Sequence, residues 1–415
     1  MKNFNPVRGT YDYLPSEAKL RETIRTKILS VFQNNGYNLI STPVFEHLEL
    51  LNGSDGGDNL KLMFKTIKRG DKLNLTKPDL KESDLVEEGL RYDLTVPLAR
   101  FYSNNREKLP TPFKAIQIDN VFRAERPQKG RNRQFMQCDI DVFGDASINA
   151  ELELLKTAIE AYQEMGFNSL TLKINDRRIL NSLVLFAGFT EDEIGTVCVS
   201  LDKLDKIAVS GVVMELIEKG MEAEKINKLV DILNDVLSNG IDCVSNYGVE
   251  QKYVDDVNYL INTLKELTSG HNIEFNISIV RGQGYYTGTV YEFYAEGFNG
   301  AIGGGGRYDK MVGKMTGNDV CAVGVSIGFE RVALLAKENG LNLGDKENLA
   351  LIYDADDNIV EVFNLKTRLM NGFNVSLYLR PKNMKSFYDK IVEVASYCIS
   401  FKDYNEGKEV KKLTK

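Results

Sequence analysis

Residues 114–144, KAIQIDNVFRAERPQKGRNRQFMQCDIDVFG, hold two alternating runs with a turn between them. Side chains along an extended chain point to opposite faces in turn, so a period of two gives a strand one apolar face to bury. In the second run Met136, Cys138, Ile140 and Val142 fall on one face, and Gln137, Asp139 and Asp141 on the other. Pro127 and Gly130 supply turn chemistry between the runs. The stretch predicts a β-hairpin docked on a core. Its loop is cationic, because Arg123, Arg126, Lys129, Arg131 and Arg133 fall within eleven residues of a chain whose net charge is -7. Only Glu125 opposes them, and its spacing predicts that it shares a strand face with Arg123. Two readings of the polar face remain open. One is a solvated sheet surface with a charged tip. The other is a binding face where guanidinium, amide and carboxylate groups meet a ligand carrying a phosphate chain.

A length of 415 residues predicts two or three domains, and an apolar fraction of 43% is ample for their cores. No apolar run reaches membrane-spanning length, and MKNFNPVRGTYDYLP lacks the apolar stretch of a secretion signal. The expectation is a cytoplasmic protein with no membrane partner. Cys138, Cys198, Cys243, Cys321 and Cys398 form an odd, scattered set without CxxC spacing, which reads as free thiols. With only His47 and His271 beside them, a structural zinc site is not expected. Net negative charge argues against non-specific coating of nucleic acid but leaves room for a local basic patch.

Ser16 reads as the N-cap of a first helix, with Leu20, Ile24, Ile28, Val31 and Phe32 at helical spacing and Gly36 as its stop. Residues 38–45 read as a strand in which Pro43 implies an edge position. Within 90–102, LRYDLTVPLARFY, Asp93 and Thr95 share a face if the chain is extended. Residues 151–166 predict a helix. From 175 to 270 the chain becomes helical, proline-free and rich in Lys, Asp and Glu, the texture of an inserted helical domain. Strands are expected at 274–280 and 289–295, and a strand passing into a helix over 322–335. Residues 336–348 read as a polar linker, and 349–415 as a small α/β domain.

The glycines at 303–306 lack the GK[ST] continuation of a P-loop, and the glycines at 282, 284 and 288 lack the dinucleotide spacing and lead into a strand. Both motifs are rejected, and the glycines are assigned to turns or close backbone approach. Arg281 stands at a strand end beside glycines, and Arg331 at a helix start after Gly328. Each alone reads first as an exposed structural arginine. Taken with Arg123 they suit phosphate or pyrophosphate transfer, because several fixed cations stabilise the charge that develops there and arginine binds oxyanions through two donors.

PVRGTYDYLP, LRYDLTVPLARFY, RAERPQKGRNRQFMQCDIDVFG, IVRGQGYYTGTVYEF, GGGGRYDKMVG and GVSIGFERVALL occur in that order over roughly four-fifths of the chain. Together they resemble the histidyl-tRNA synthetases, a family of class II aminoacyl-tRNA synthetases. The resemblance implies an α+β fold: an antiparallel catalytic sheet with flanking helices, interrupted by a helical insertion and followed by a small C-terminal α/β domain. It implies catalytic segments at 1–174 and 271–335, an insertion at 175–270 that approaches the tRNA acceptor arm, a linker at 336–348, and a shortened anticodon-binding-like domain at 349–415. It also implies a homodimer formed through the first helix and the Pro43 strand. The substrates would be histidine, ATP and tRNA(His), with Mg2+ on the phosphates and no protein metal ligands assigned.

By the same resemblance Arg123 and Arg281 bind the α-phosphate of ATP and the histidine carboxylate. Glu125, Arg133 and Arg331 bind ATP, with Arg331 clamping the γ-phosphate. Asp93, Thr95 and Gln137 hold the α-amino group. Asp141 and Tyr286 read the imidazole, and Tyr285 and Tyr308 line its pocket. Arg281, Arg123 and Gln137 are the catalytic set. Two departures stand out. Gln283-Gly284 replaces the family's Leu-Asp, which predicts altered loop packing. The ending CISFKDYNEGKEVKKLTK is compressed, which shifts tRNA recognition toward the acceptor arm. The same fold also serves a catalytically silent paralogue, the regulatory subunit of ATP phosphoribosyltransferase, and synthetase-like domains that sense uncharged tRNA.

Overall fold

A computed structural model describes residues 4–53, 57–128, 130–281, 284–339 and 346–413. Lys129 and Gln283 lie outside them. The chain divides into two compact units, the larger formed by Val7–Thr10 and Lys27–Glu338, the smaller by Met1–Pro6, Tyr11–Thr26 and Asn339–Lys415.

The larger unit is built on an eight-stranded mixed sheet. Its order is Asn38–Leu39, Phe113–Phe122, Gln134–Phe143, Ala322–Gly328, Gly303–Arg307, Thr289–Ala295, Leu170–Asp176 and Asn272–Phe275. Only the two edge strands pair parallel to their neighbours. The predicted hairpin is its backbone: Ile116 pairs with Ile140 and Phe122 with Gln134. Cys138, Ile140 and Val142 are buried. The Asn149–Glu164 helix crosses this side of the sheet with Leu154, Leu155, Ala158 and Tyr162 buried. Each such side chain taken from water contributes about 1.5–3 kcal/mol if large. Tyr162 donates from its hydroxyl to the Ile302 carbonyl at 3.0 Å, which satisfies that buried polar group.

Several local expectations shift. The first helix begins at Pro15, ahead of Ser16, since a proline at the first helical position has no amide hydrogen to leave unbonded. The 38–45 strand breaks into Asn38–Leu39 and Phe45–His47, with Pro43 in neither. Asp93 and Thr95 are not extended. Thr95 opens the Thr95–Asn105 helix, and the Asp93 carboxylate accepts from the Val96 amide at 3.2 Å. The strand after the insertion stops at Phe275. Beyond it the Asn175 side chain replaces the ladder, donating to the Ile277 and Ile279 carbonyls at 3.2 and 3.0 Å. The first hairpin strand stops at Phe122, so Arg123 and Glu125 begin the loop rather than share a strand face.

Residues 177–267 form five α-helices, from Arg177–Phe186 to Gln251–Leu267. In the smaller unit Asn348–Tyr353 pairs in parallel with Asn374–Leu379 on one side and Tyr397–Ser400 on the other. The compressed ending is the short helix Phe401–Asn405 and a two-residue strand, Lys411–Lys412, antiparallel to Tyr397–Ser400. Leu349 and Leu351 are buried against one face of that sheet and Ala350 against the other, as a run buried on both sides requires. No helix among the described residues is long and apolar enough to cross a membrane.

Candidate active site

The polar face of the Gln134–Phe143 strand is the floor of a cavity of about 510 Å³, within the size range of small-molecule sites. Asp93, Thr95, Arg123, Glu125, Gln137, Asp141, Arg281, Tyr285, Tyr286, Tyr308 and Arg331 all line it. They come from six separate stretches of the chain, brought together by strand order. Arg133 does not line it. Its Nε donates to the Glu125 carbonyl at 3.2 Å and its amide to the Gly9 carbonyl at 2.8 Å, so it braces the loop from behind.

The sheet can carry these side chains because the neighbouring strands are stripped of theirs. Gly324 pairs with Asp141 in register, and a Cβ on Gly324 would collide with the Asp141 carboxylate. A Cβ on Gly304 would lie 2.8 Å from Arg281 Nη1, and one on Gly306 2.8 Å from the Tyr286 ring. The glycine run, assigned to turns or close backbone approach, is a central strand with such close approach, smooth on top so that ligand-facing groups can lie across it.

Three cations line the cavity. Arg123 Nε donates to the Tyr92 carbonyl at 2.9 Å, and its guanidinium sits 5.1 Å from the Phe135 ring centre. Arg281, in a left-handed backbone conformation at φ +61°, bonds Glu292 at 2.8 Å. Burial opposes the Arg281 charge, but the Tyr286 hydroxyl and Glu292 outweigh it and lift its pKa above the ordinary arginine value. Arg331 donates to the Ala301 carbonyl and lies 5.7 Å from the Phe298 ring centre. Burial, then the charges of Arg131 and Arg281, hold its pKa below the usual value, the signature of a cation among cations. Arg131 approaches Glu125 at 3.6 Å on the loop.

Carboxylates and phenols line it among the arginines. Tyr308 donates to Asp141 at 2.6 Å. Burial pushes Asp141 up to about 7, against the pull of that bond and helped by Asp93. Asp93 rises to about 6 by burial, offset by the Val96 amide and Arg123. Asp139, buried beside both, is pushed well above the carboxylate range by burial and by Asp141. The Tyr285 and Tyr286 rings lie 4.7 Å apart, and Tyr285 meets Tyr308 edge-on at 6.0 Å. One oxygen each of Asp93, Gln137 and Asp139 is buried without a donor. Such groups cost free energy until a ligand supplies one. They call for a multiply donating ligand group.

Sequence reasoning missed Asp139 and Glu292 as site residues. Asp139 was in plain view between Gln137 and Asp141, at the spacing that fixes its face. Glu292 sits between Tyr291 and Phe293, both buried, and its partner Arg281 lies eleven positions away, so only the fold joins them.

Among the described residues no group of three or more His, Cys, Asp or Glu side chains could hold a metal ion. Mg2+ carried on phosphates needs only one or two carboxylates. Glu292 and Glu330 both line the cavity with the arginines, so the residues present fit an ion that arrives with a nucleotide.

The comparisons agree with this geometry. The histidyl-tRNA synthetase family profile matches residues 9–332. The histidine–tRNA ligase of Leifsonia xyli subsp. xyli is 38% identical over 415 residues, covering 96% of this chain and 95% of that protein. The histidine–tRNA ligase of Christiangramia forsetii is 36% identical and covers 82% of each. The crystal structure of histidyl-tRNA synthetase from Nostoc sp. PCC 7120 superposes with a TM-score of 0.76 at 25% identity, covering 100% of this chain and 95% of that one. A Bacillus halodurans structure described as an ATP phosphoribosyltransferase regulatory subunit/histidyl-tRNA synthetase matches at 0.74 and 18% identity, a likeness of fold alone, over 96% of this chain and 97% of that one. The chain belongs to the histidyl-tRNA synthetase family.

Proposed function

We propose that this protein is a histidine–tRNA ligase that activates histidine with ATP and transfers it to the 3' end of tRNA(His). One observation carries the reading: Arg123, Arg281 and Arg331 border a single cavity that also holds buried carboxylate and amide oxygens lacking donors. A triphosphate satisfies the arginines and an amino acid's ammonium group the unpaired oxygens.

Histidine seats its α-ammonium against Asp93, Thr95 and Gln137, and its imidazole against Asp141 and Tyr286, with Tyr285 and Tyr308 closing the pocket. A carboxylate–phenol pair of this kind rejects an apolar analogue, because its polar groups would stay buried and unpaired. A histidine carboxylate oxygen attacks the α-phosphorus of ATP in line. The bond from that phosphorus to the bridging oxygen breaks and pyrophosphate leaves with the electron pair. Arg123 and Arg281 neutralise charge at the α-phosphate and Arg331 at the γ-phosphate. Glu125 and its loop hold the nucleotide. The protein acts by positioning and electrostatics and forms no covalent intermediate with its substrates. Bound Mg2+ supplies further charge neutralisation on the phosphates. In the second step the terminal ribose hydroxyl of tRNA attacks the adenylate carbonyl and AMP leaves.

The retained set of Arg123, Glu125, Arg281 and Arg331 favours this reading over a silent regulatory paralogue, which has no use for a triphosphate clamp. On the same family footing we assign the helices of 175–270 to the acceptor arm, the 349–415 fold to the anticodon end, and the working form to a cytoplasmic homodimer. Histidine-dependent ATP–pyrophosphate exchange by the purified chain tests the proposal. Exchange above background with histidine and none with the other amino acids is expected. A folded protein showing no exchange overturns it.

A further inference from the structure

Glu292, on the Thr289–Ala295 strand, pairs in register with Gly304 on one side and with Lys173 on the other. Residues directly opposite each other share a face of the sheet, with Cβ atoms about 4.5–5.5 Å apart. Two cations therefore compete for one carboxylate: Lys173, and Arg281, which lies over Gly304. Arg281 holds it. Its Nη1 donates to Glu292 Oε1 at 2.8 Å, and the Tyr294 hydroxyl donates to Glu292 Oε2 at 2.6 Å, so both oxygens are taken.

Lys173 is held elsewhere. Its Nζ donates to Asp205 Oδ2 at 2.9 Å and lies 5.1 Å from the Tyr294 ring centre. Asp205 belongs to the inserted helices. It stands in the first turn of Leu204–Glu218, ahead of the break at Ala208, where the backbone turns left-handed at φ +56°. The Lys173 side chain is 19% exposed against 47% for Asp205, so the lysine is the partner that can least do without a counter-ion. Glu274 also pairs in register with Lys173, but its carboxylate accepts from Asn272 at 2.9 Å. The Lys173 ammonium already leans toward Tyr294, on the Glu292 side. With the Asp205 charge removed, Glu292 is the carboxylate it reaches.

We propose that Asp205 holds Lys173 away from Glu292 and so leaves Glu292 to fix the Arg281 guanidinium at the α-phosphate. This rests on the functional reading above and deepens it. Asp205 and Lys173 are positioning residues, since they act on the reacting atoms through Glu292 and Arg281.

The test uses the full chain and its variants, with folding checked by thermal denaturation. Asp205→Asn keeps the shape of the side chain and removes its charge. It is expected to lower kcat for histidine-dependent pyrophosphate exchange about tenfold, short of the hundredfold that a misplacement of about 1 Å can cost. Both KM values should change by less than about threefold, because the guanidinium matters most where charge develops in the transition state. Lys173→Gln alone should stay within about twofold of the unsubstituted chain. Added to Asp205→Asn it should restore kcat to within about twofold, because the competing cation is gone. A merely structural role for Asp205 would not be repaired by losing its partner as well. In an Arg281→Ala background Asp205→Asn should add nothing further. A second readout needs no activity. The Nε–H signal of Arg281 in isotope-labelled protein, identified by its loss in Arg281→Ala, should shift in Asp205→Asn and return in the double variant. An unchanged kcat in Asp205→Asn, as follows if Lys173 turns to Glu274, overturns the proposal. So does a failure of Lys173→Gln to restore the rate, or full additivity with Arg281→Ala. Absence of histidine-dependent exchange in the unsubstituted chain overturns the ligase reading instead. The Arg281 signal then decides the proposal, and a signal that stays in place in Asp205→Asn overturns it.

Discussion

Arg281 keeps a left-handed backbone at φ +61°, where a side chain costs about 1–3 kcal/mol relative to the ordinary regions. That cost is tolerated because the turn swings the guanidinium back over the smooth Gly303–Arg307 strand, between Glu292 and Tyr286. Replacing Arg281 with Ala should lower adenylate formation by at least about a hundredfold, the scale of a lost transition-state donor. Pyrophosphate exchange reads this directly, and near-normal turnover would remove Arg281 from the α-phosphate. Asp141 carries a second residue-scale prediction. Its folded pKa of about 7 stands above its ordinary value of 3.8, so between those pH values the folded state holds the extra proton. Its contribution to stability is complete below the unfolded pKa and is lost as pH rises through about 7. Asp141→Asn keeps an acceptor for Tyr308 and removes the charge. The variant should gain on the order of 1–3 kcal/mol over the natural protein at about pH 8, and little at about pH 4. Denaturant titrations at the two pH values check the sign. Catalysis should move the opposite way. The ionised carboxylate is the one that grips imidazole, so kcat/KM for histidine falls as pH drops through about 7, and Asp141→Ala raises the histidine KM far more than the ATP KM.

At the scale of elements, the glycine run shows what sequence could and could not say. The hairpin, the Thr289–Ala295 strand and the strand-to-helix passage at Ala322–Gly328 were legible because alternation leaves the same mark whatever the tertiary context. Gly303–Arg307 was not. Glycine is a poor strand former alone, and the strand exists because backbones on both sides pair with it, Tyr291 with Gly305 and Val325 with Gly305 again. Asp93 was recognised as a site residue for the wrong backbone: a carboxylate two residues before a threonine fits an extended strand and a helix start equally well. The strand's last residue, Arg307, yields a stability prediction. Its Nε and Nη2 bond the buried Glu151, which also accepts from Thr289 at 2.8 Å. Arg307→Ala leaves that carboxylate buried without its cation and should cost about 3–5 kcal/mol in unfolding free energy. A loss below about 1 kcal/mol by chemical denaturation would show that Glu151 finds water or a proton cheaply.

For the whole molecule, every residue that lines the cavity belongs to the larger unit, while the 349–415 fold belongs to the smaller one. The sequence of 349–415 holds eleven Lys and Arg against nine Asp and Glu, so the acidic excess of the chain lies entirely outside it. A basic surplus in an acidic protein suits a polyanionic partner, and counterion release makes such binding steeply salt-dependent. Chemistry and tRNA recognition should therefore separate. A chain ended at Glu338 keeps the cavity intact and should retain histidine-dependent pyrophosphate exchange within about threefold, because the adenylation step draws on no residue beyond Arg331. Its KM for tRNA(His) should rise by at least about tenfold, and the dependence of that KM on salt should flatten by the share of phosphate contacts removed. Parallel measurement of exchange and aminoacylation across a salt series separates the two effects. If truncation abolishes exchange as well, the smaller unit is needed to hold the catalytic one together. If neither KM nor salt slope moves, the acceptor arm alone carries recognition, as the compressed ending would then imply.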